Sequence, residues 1–265
     1  MNIFITLYNE ILHKPLLNAL ILLTTFLPFH DLGFAVIILT IAVRFLLFPF
    51  THHSVKAQAK MRTLEPKISQ IRQEHKDNQQ EQGQKIMALY KEHGVNPFSG
   101  CLMLIVQLPI LIALYHVFGA GLNMETIPGE LYSFVALPET IHTMFFGVID
   151  LMEASVFVAA LAAITQFIQM KLAMPPSPKT PPKESSSGMP DISRIMTSQM
   201  MYVMPIVIFI IGLRFPAAVA LYWTTMNLFA IIHESIVRRK AQIIMATSSQ
   251  DHEPERNNAG DTKSS

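Results

Sequence analysis

Residues 32–72 read LGFAVIILTIAVRFLLFPFTHHSVKAQAKMRTLEPKISQIR, and this stretch determines the predicted fold class. Its first part, residues 32–50, contains a single charged residue, Arg44. A helix needs roughly 20 mostly apolar residues to cross the hydrocarbon core of a bilayer, which is about 30 Å thick. The following residues, 51–72, are polar and basic. The pattern predicts a membrane-spanning helix that leads directly into a charged segment in water.

The rest of the chain has the same low charge density. Of 265 residues, 15% are charged and 51% are hydrophobic, and the mean hydropathy is +0.35. Ordinary soluble domains carry about 25% charged residues. No Asp, Glu, Lys or Arg occurs in residues 93–124, 154–170, 195–213 or 215–233. We therefore predict an all-α, polytopic membrane protein with five transmembrane helices, and a soluble enzyme is largely excluded.

The segments between the apolar runs complete the predicted organisation. The five spans are residues 31–50, 99–119, 154–172, 196–214 and 217–237. The other segments are an interfacial extracytoplasmic helix (1–30), a cytoplasmic helical hairpin (51–98), an extracytoplasmic loop (120–153), a cytoplasmic linker (173–195) and a cytoplasmic tail that is first basic and then disordered (238–265).

The N-terminal segment is predicted to lie in the membrane interface as an amphipathic helix. Its apolar run, residues 16–27, is too short to span, and Pro28 closes it. Tyr8, Leu12 and Leu16 recur at helical spacing, which is typical of an interfacial helix. A secretory signal is the alternative, but no Ala-x-Ala-like cleavage site follows the run. We expect the N-terminus to be mature.

Residues 51–98 predict two amphipathic helices. One-sided apolar stripes run from Val55 to Ile71 and from Ile86 to Tyr90, with a turn at residues 76–83 and a kink at Pro66. Such a hairpin suits either recruitment of a partner or an inert cap on anionic headgroups.

The distribution of basic residues predicts the orientation. Residues 51–98 contain eight Lys and Arg, whereas residues 120–153 contain none and five acids. Basic loops stay in the cytoplasm. We therefore predict that the N-terminus is outside and the C-terminus inside.

Arg44 is the main anomaly of the sequence. It lies about 4–5 Å past the midpoint of its span at ~1.5 Å per residue. An Arg near a helix centre costs about 2.5–3.5 kcal/mol on insertion scales. No predicted span contains Asp or Glu within its core. Arg44 either snorkels to the inner interface, or faces a wet cavity or a partner that brings the negative charge.

Several predicted spans carry uncharged polar side chains at a similar depth. Each of them alone is most simply a helix–helix hydrogen bond. Together with Arg44 they predict a shallow polar groove that opens to the cytoplasm. The predicted groove residues are Thr40, Arg44, Gln107, Gln166, Gln169, Thr224 and Asn227.

No catalytic or metal-binding pattern is evident. Cys101 is the single cysteine, which excludes a disulfide framework within the chain and a Cys-rich metal site. His52-His53 is the only His cluster, and an interfacial polar pair is its simplest interpretation. Phosphate-binding glycine loops, HExxH and GxSxG are absent. We expect no enzyme activity, no cofactor, no metal and no direct nucleic-acid specificity.

Three stretches resemble the YidC/Oxa/Alb family of membrane protein insertases. They are GFAVIILTIAVRFLLFPFTHHSVKAQAKMRTLEPKISQIRQEH (33–75), KIMALYKEHGVNPFSGCLMLIVQLPILIALYHVF (85–118) and FPAAVALYW (215–223). The resemblance covers about residues 8–240 and is to the short bacterial forms without a large periplasmic domain. Ala218 stands where a Gly is common, and Arg214 stands where an apolar or aromatic residue is usual.

The resemblance implies a multi-pass protein of the bacterial inner membrane that inserts and helps fold small or simple membrane proteins. It implies a hydrophilic groove open to cytoplasm and lipid, in which Arg44 is the groove arginine, and an apolar slide along spans three and five. The implied partners are nascent membrane proteins and membrane lipids. The Sec translocon and the ribosome stay open as further partners.

Two alternatives from other classes stay open at this point. A small-solute or anion transporter would use Arg44 as its anion site, but the sequence has no inverted repeat and no paired broken helices. A membrane anchor that docks a partner through the hairpin would leave Arg44 unexplained.

Overall fold

The protein is helical along most of its length. The structure, a computed structural model, describes residues 3–76, 78–96, 99–119, 127–173 and 192–250. The α-helices are α1 (Ile3–Tyr8), α2 (Lys14–Phe26), α3 (Leu32–Leu46), α4 (Phe48–Thr63), α5 (Glu65–Glu74), α6 (Gln79–Glu92), α7 (Ser99–Gly119), α8 (Val156–Ala173), α9 (Ile192–Gly212) and α10 (Ala217–Gln250).

The N-terminal segment forms one rod, in which a five-residue π-helical turn, Asn9–His13, joins α1 to α2. Leu17, Leu20 and Ile21 of α2 are buried, and α2 packs against α3. The α1 helix, in contrast, buries none of its apolar side chains. The rod ends at Phe26, just before Pro28. This one-sided burial agrees with the predicted amphipathic character.

The first predicted span is not one straight helix through residue 50. The α3 helix ends at Leu46, Leu47 leaves the helical conformation (φ −84°, ψ 0°), and α4 continues at an angle of 70°. Pro49 explains the break, because it has no backbone N–H and its ring clashes with the carbonyl of Phe45. Residues 48–50 therefore belong to the first helix of the hairpin.

The first arm of the hairpin consists of two helices. It breaks at Leu64, between α4 and α5, because Pro66 follows and disfavours a continuous helix. The kink predicted at Pro66 is thus present. Leu64 and Ile68 of this arm pack with Leu89 and Val95 of the second arm in a small apolar core.

The turn of the hairpin is shorter than predicted. The α6 helix begins at Gln79, where the Asn78 side chain accepts a hydrogen bond from the Glu81 backbone N–H at 3.1 Å. An Asn at the N-cap satisfies one of the free N–H groups of the first turn. Gly83, which was predicted to lie in the turn, is therefore inside α6.

Helices α3, α7, α8, α9 and α10 alternate in direction. The α3 and α10 helices both start beside residues 127–153, because Leu32 N–H donates to the His142 carbonyl at 3.0 Å and Ala217 N–H donates to the Glu153 carbonyl at 2.7 Å. Both run toward the hairpin, where α10 contacts α4. We call these two ends of the assembly the loop end and the hairpin end.

The β-strands that the described residues contain lie at the loop end. Strands β1 (Met144–Phe145) and β2 (Ile149–Asp150) form an antiparallel hairpin, which the all-α prediction did not include. This β-hairpin is held at the start of α3, where Asp31 and His142 form a β-bridge.

The last helix continues beyond the predicted span of 217–237. It ends at Gln250, so residues 238–250, predicted as part of a disordered tail, are helical. Residues 217–250 contain neither Gly nor Pro, and both would disfavour a helix interior. Residues 251–265 of the predicted tail, 120–126 of the predicted loop and 174–191 of the predicted linker lie outside the described residues.

Within the described ranges, only α8 is by itself long and apolar enough to cross a membrane. The α3 and α4 helices pass this test only as a pair that is bent by 70°. Shorter apolar segments occur at Gln107–Phe118 and Met201–Gly212. The number of five spans therefore stays a prediction.

Candidate functional site

An open-sided cavity of about 370 Å³, counted with the space that opens to solvent, lies at the hairpin end. Helices α3, α4, α8 and α10 all contribute to its wall, so the cavity exists only when these four helices are assembled. We call it the Arg44 cavity. Its lining residues are Arg44, Thr51, Val55, Gln58, Gln169, Phe229, Ala230, His233 and Glu234.

Arg44 contributes the charge of α3 to this cavity. The residue is only 5% exposed, and no carboxylate in the described part of the chain forms an ion pair with it. A charged group without a partner is very costly in a dry interior, whereas a polar cavity can hold water. The arrangement leaves Arg44 as a cation that a negative group entering the cavity can approach.

A buried ion pair joins the hairpin to α10 beside the cavity. The Arg62 Nη2 atom donates to Glu234 Oε1 at 2.7 Å, and the two side chains are 10% and 4% exposed. Burial lowers the pKa of the Arg62 guanidinium, and the Glu234 carboxylate acts in the opposite direction. The Nε and Nη1 atoms of Arg62 are buried without a hydrogen-bond partner. The pair therefore depends on a single hydrogen bond between two desolvated charges.

A pair of histidines makes a second link between the hairpin and α10. His52 Nδ1 and His233 Nε2 lie 3.1 Å apart, and their rings stack with centroids 5.4 Å apart. Phe48 packs against both rings. His52 thus contacts a histidine of another helix, which the interpretation of His52-His53 as an interfacial polar pair did not include. In the described ranges, no group of three or more metal-ligating side chains occurs.

Of the predicted residues of α8, Gln166 and Gln169, one lines the Arg44 cavity and the other is hydrogen-bonded to it. Gln169 lines the cavity, and Gln166 Nε2 donates to Gln169 Oε1 at 3.3 Å. Trp223 Nε1 in turn donates to Gln166 Oε1 at 3.1 Å. Gln166 thus connects an α10 aromatic to the cavity wall.

Thr40 and Gln107 belong to a neighbouring region closer to the loop end. Thr40 lines a second, apolar cavity of about 250 Å³, and its hydroxyl donates to the Val36 carbonyl at 2.6 Å. Gln107 Nε2 donates to the Tyr222 hydroxyl, and Tyr222 lines the same cavity. We call this the apolar cavity. Its lining residues are Leu16, Val36, Leu39, Thr40, Val43, Ile110, Leu114, Phe118 and Tyr222.

Thr224 and Asn227 lie in helix contacts. Thr224 is buried and donates to the Ala220 carbonyl of its own helix at 2.9 Å. Asn227 Nδ2 reaches α8, with the Ala162 carbonyl at 3.4 Å and Thr165 Oγ1 at 3.3 Å. The Asn227 contacts are hydrogen bonds between helices, whereas the Thr224 hydrogen bond stays within α10.

Glu234 is the most important residue that the sequence analysis missed. Glu234 lies near the end of the predicted span 217–237, outside the core in which no acid occurs, and it lines the Arg44 cavity. A carboxylate next to His233 in an otherwise apolar run was the available signal. Thr51 and Gln58 were missed because their segment was assigned to the hairpin alone.

Fold and site together define a mostly helical membrane protein with a buried, unpaired arginine in a half-open polar cavity. The family model described as 60Kd inner membrane protein matches residues 22–244 of the chain. The chain belongs to this family. Its members are bacterial inner membrane proteins, and the apolar helices of the chain agree with that location.

Two curated relatives illustrate the similarity. The membrane protein insertase YidC of Francisella tularensis subsp. novicida (strain U112) is 32% identical to the chain over 212 residues. The protein of the same name from Francisella tularensis subsp. tularensis (strain SCHU S4 / Schu 4) has the same identity over the same length. Each alignment covers 79% of this chain and 33% of the relative, so the chain spans about one third of the length of these relatives.

Proposed function

We propose that the chain is a membrane protein insertase, in which the Arg44 cavity receives the polar part of a substrate on its way across the membrane. The observation that carries the proposal is Arg44 itself, which is buried, lines an open cavity and has no ion-pair partner among the described carboxylates. The name of the relatives supports the same activity. The anion-transporter alternative has no such support.

The physical task of an insertase is to lower the cost of moving polar groups through hydrocarbon. Backbone and side-chain polar groups cannot find hydrogen-bond partners in the bilayer core. A wet cavity that enters from one side shortens the dry path, and Arg44 supplies a transient partner for an Asp or Glu of the substrate. Apolar substrate helices then leave sideways into lipid along α8 and α10.

The proposal includes five spans, with the loop end outside and the hairpin end in the cytoplasm. The alternating directions of α3, α7, α8, α9 and α10 support this count. The positive-inside rule supports the sidedness, since the hairpin carries the basic residues. Nascent membrane proteins are the proposed substrates, and the hairpin and the helical end of α10 are the proposed contact region for a ribosome or the Sec translocon.

The Arg44 series tests the proposed activity. Two small model substrates are compared that differ only in whether their translocated segment contains Asp or Glu. Arg44→Lys should retain most insertion of both substrates, because it keeps the charge. Arg44→Ala should reduce insertion of the acidic substrate at least tenfold and affect the neutral substrate less. The measurement is the protease-protected fraction of substrate in proteoliposomes.

The two substrates also separate the alternatives. An equal loss for both would mean that Arg44 has a structural role. No loss for either would return Arg44 to the snorkelling interpretation. Anion uptake by the same proteoliposomes, abolished in Arg44→Ala, would instead favour a transporter.

A further inference from the structure

The loop end contains all the strained non-glycine backbone that the described residues show. Phe29, His30 and Phe146 adopt positive φ angles of 68°, 48° and 52°. This left-handed region is uncommon for residues with a side chain, and a bulky residue there is a genuine outlier. Such strain is unfavourable and persists only where the surroundings impose it. Two aromatic residues in this conformation at one end of the molecule therefore require an explanation.

The two strained segments are joined to each other. His142 N–H donates to the His30 carbonyl at 3.1 Å, and Leu32 N–H donates to the His142 carbonyl at 3.0 Å. The turn before α3 and the β1–β2 hairpin are thus held together at the start of α3.

The strained backbone presents apolar side chains outward. Phe29 is 84% exposed, Phe146 is 70% exposed, and Val148 next to it is 77% exposed. Burying a Phe or Val side chain away from water is favourable. A loop that is exposed to water usually turns such side chains inward. No charged residue lies between positions 139 and 150, so this tip has no charge that would favour contact with water. We call Phe29, Phe146 and Val148 the apolar prong.

The prong continues the exposed surface of α3. Gly33 lies directly against the ring of Phe145, since a Cβ atom there would overlap that ring. Phe34, on the next position of α3, packs edge-on against Phe145 and Phe146 with ring centroids 5.5 and 5.4 Å apart. Phe34 is itself part of the exposed apolar face of α3. In an inner membrane protein, this face meets lipid.

We propose that the apolar prong inserts into the lipid leaflet at the loop end and takes phospholipid acyl chains as its partner. The continuity with the α3 face points to lipid, and the absence of charge at the tip fits the boundary between headgroups and acyl chains. The prong then holds the start of α3 at a fixed depth. Arg44 follows twelve positions after Leu32, about 18 Å along the helix at ~1.5 Å per residue, so the prong also sets the depth of Arg44. Only this last consequence rests on the proposed function.

Single-tryptophan fluorescence tests the lipid contact. Trp223 is the only tryptophan, so Trp223→Phe provides a background in which Phe146→Trp is the sole probe. The variants are reconstituted in lipid vesicles for two separate measurements. In the first, the lipid acyl chains carry bromine near the headgroup end. In the second, iodide is added on both sides of the membrane. Gln73→Trp is the matched control, because Gln73 is exposed on the polar hairpin.

We expect brominated lipid to reduce the emission of Phe146→Trp at least twofold and iodide to change it little, with the reverse for Gln73→Trp. Gly33→Leu, which displaces the ring of Phe145 from α3, should reduce the bromine effect at position 146. Far-UV circular dichroism then confirms that this variant is still helical. Iodide quenching of Phe146→Trp as strong as that of Gln73→Trp would overturn the proposal. Shielding from both quenchers would also overturn it, because a second protein copy would then cover the prong. None of these measurements requires insertion activity.

Discussion

The two cavities along α3 share two helices, α3 and α10, and yet have opposite character. Val36, Leu39, Thr40 and Val43 face the apolar cavity, whereas Arg44, one residue further, faces the polar one. The α10 helix also lines both. The difference lies in the remaining walls, which come from α2 and α7 in the apolar cavity and from α4 and α8 in the Arg44 cavity. Because α4 lines the Arg44 cavity, the helical hairpin forms part of the wall of the polar site.

Buried charge separates the two regions further. Thr24 and Thr40 near the apolar side donate to the Leu20 and Val36 carbonyls of their own helices, so their hydroxyls are satisfied locally. Beside the Arg44 cavity, Arg62 and Glu234 form a buried ion pair, and Arg44 has no ion-pair partner among the described carboxylates. Hydrogen bonds between helices do not make this distinction, since Gln107 also reaches Tyr222 beside the apolar cavity. Buried charged groups identify the site.

The largest predicted effect comes from breaking the buried pair of Arg62 and Glu234. Glu234→Ala should lower the free energy of unfolding by about 3–5 kcal/mol, because it leaves the Arg62 charge buried without its partner. Chemical unfolding in detergent micelles measures the loss. The control is the double variant Arg62→Met with Glu234→Leu, which should be close to neutral because no charge remains buried. A similar loss in the double variant would contradict this explanation.

The next effect contrasts equivalent truncations in the two regions. Leu20 is fully buried in the packed region of α2, and Leu20→Ala should cost about 2–5 kcal/mol of unfolding free energy. Arg44→Ala should cost less than about 1 kcal/mol or be stabilising, because it removes an unpaired desolvated charge. The same micelle titration compares them. Equal losses would show that Arg44 supports the fold. The proposed function of the cavity would then have to rest on another residue.

The sequence predicts helices better than it predicts the way they face one another. The limits of α7 agree with the predicted 99–119, and Pro66 marks the break in the hairpin, because both follow from local patterns. The break at Leu47 has a local cause too, in Pro49, but the apolar run across residue 50 obscured it. Long apolar runs therefore report burial in lipid or protein, and not helix ends.

The candidate site shows the same division. Arg44 and Gln169 were recognisable because a charge or an amide in an apolar run is costly, and both line the Arg44 cavity. Asn227 was equally polar, but its contact with Ala162 and Thr165 depends on the rotation of α10 against α8. That rotation is set by packing of many small residues, which a single sequence does not specify.

A smaller effect should follow from crowding the contact between α8 and α9 near the loop end. Gly212 of α9 lies so close to α8 that an added Cβ would be 2.8 Å from the Ala159 Cβ atom. Gly212→Ala should therefore cost about 1–3 kcal/mol through overpacking. Ala159→Gly in the same chain should restore much of the loss, because it removes the opposing methyl group. Gly83→Ala, with open space around it, should not destabilise the protein. No rescue by Ala159→Gly would mean that the two helices do not meet at this point.

The smallest effect separates the polar residues that hold helices together from those that face the cavity. Asn227→Ala should lower the free energy of unfolding by about 0.6 kcal/mol, the average for a hydrogen bond between membrane helices. It should leave insertion of the acidic and the neutral substrate in their original ratio, because Asn227 is buried between α8 and α10. Gln169→Ala should do the opposite.

Gln169 lines the cavity and accepts a hydrogen bond from Gln166 of the same helix, so its removal should leave stability nearly unchanged. It should reduce insertion of the acidic substrate more than that of the neutral one, since the cavity loses a polar group that holds water near Arg44. The pair of variants therefore gives two independent readouts. If Asn227→Ala alters the substrate ratio and Gln169→Ala does not, the polar path of the substrate runs between α8 and α10. Asn227 would then belong to the cavity and not to the packed region.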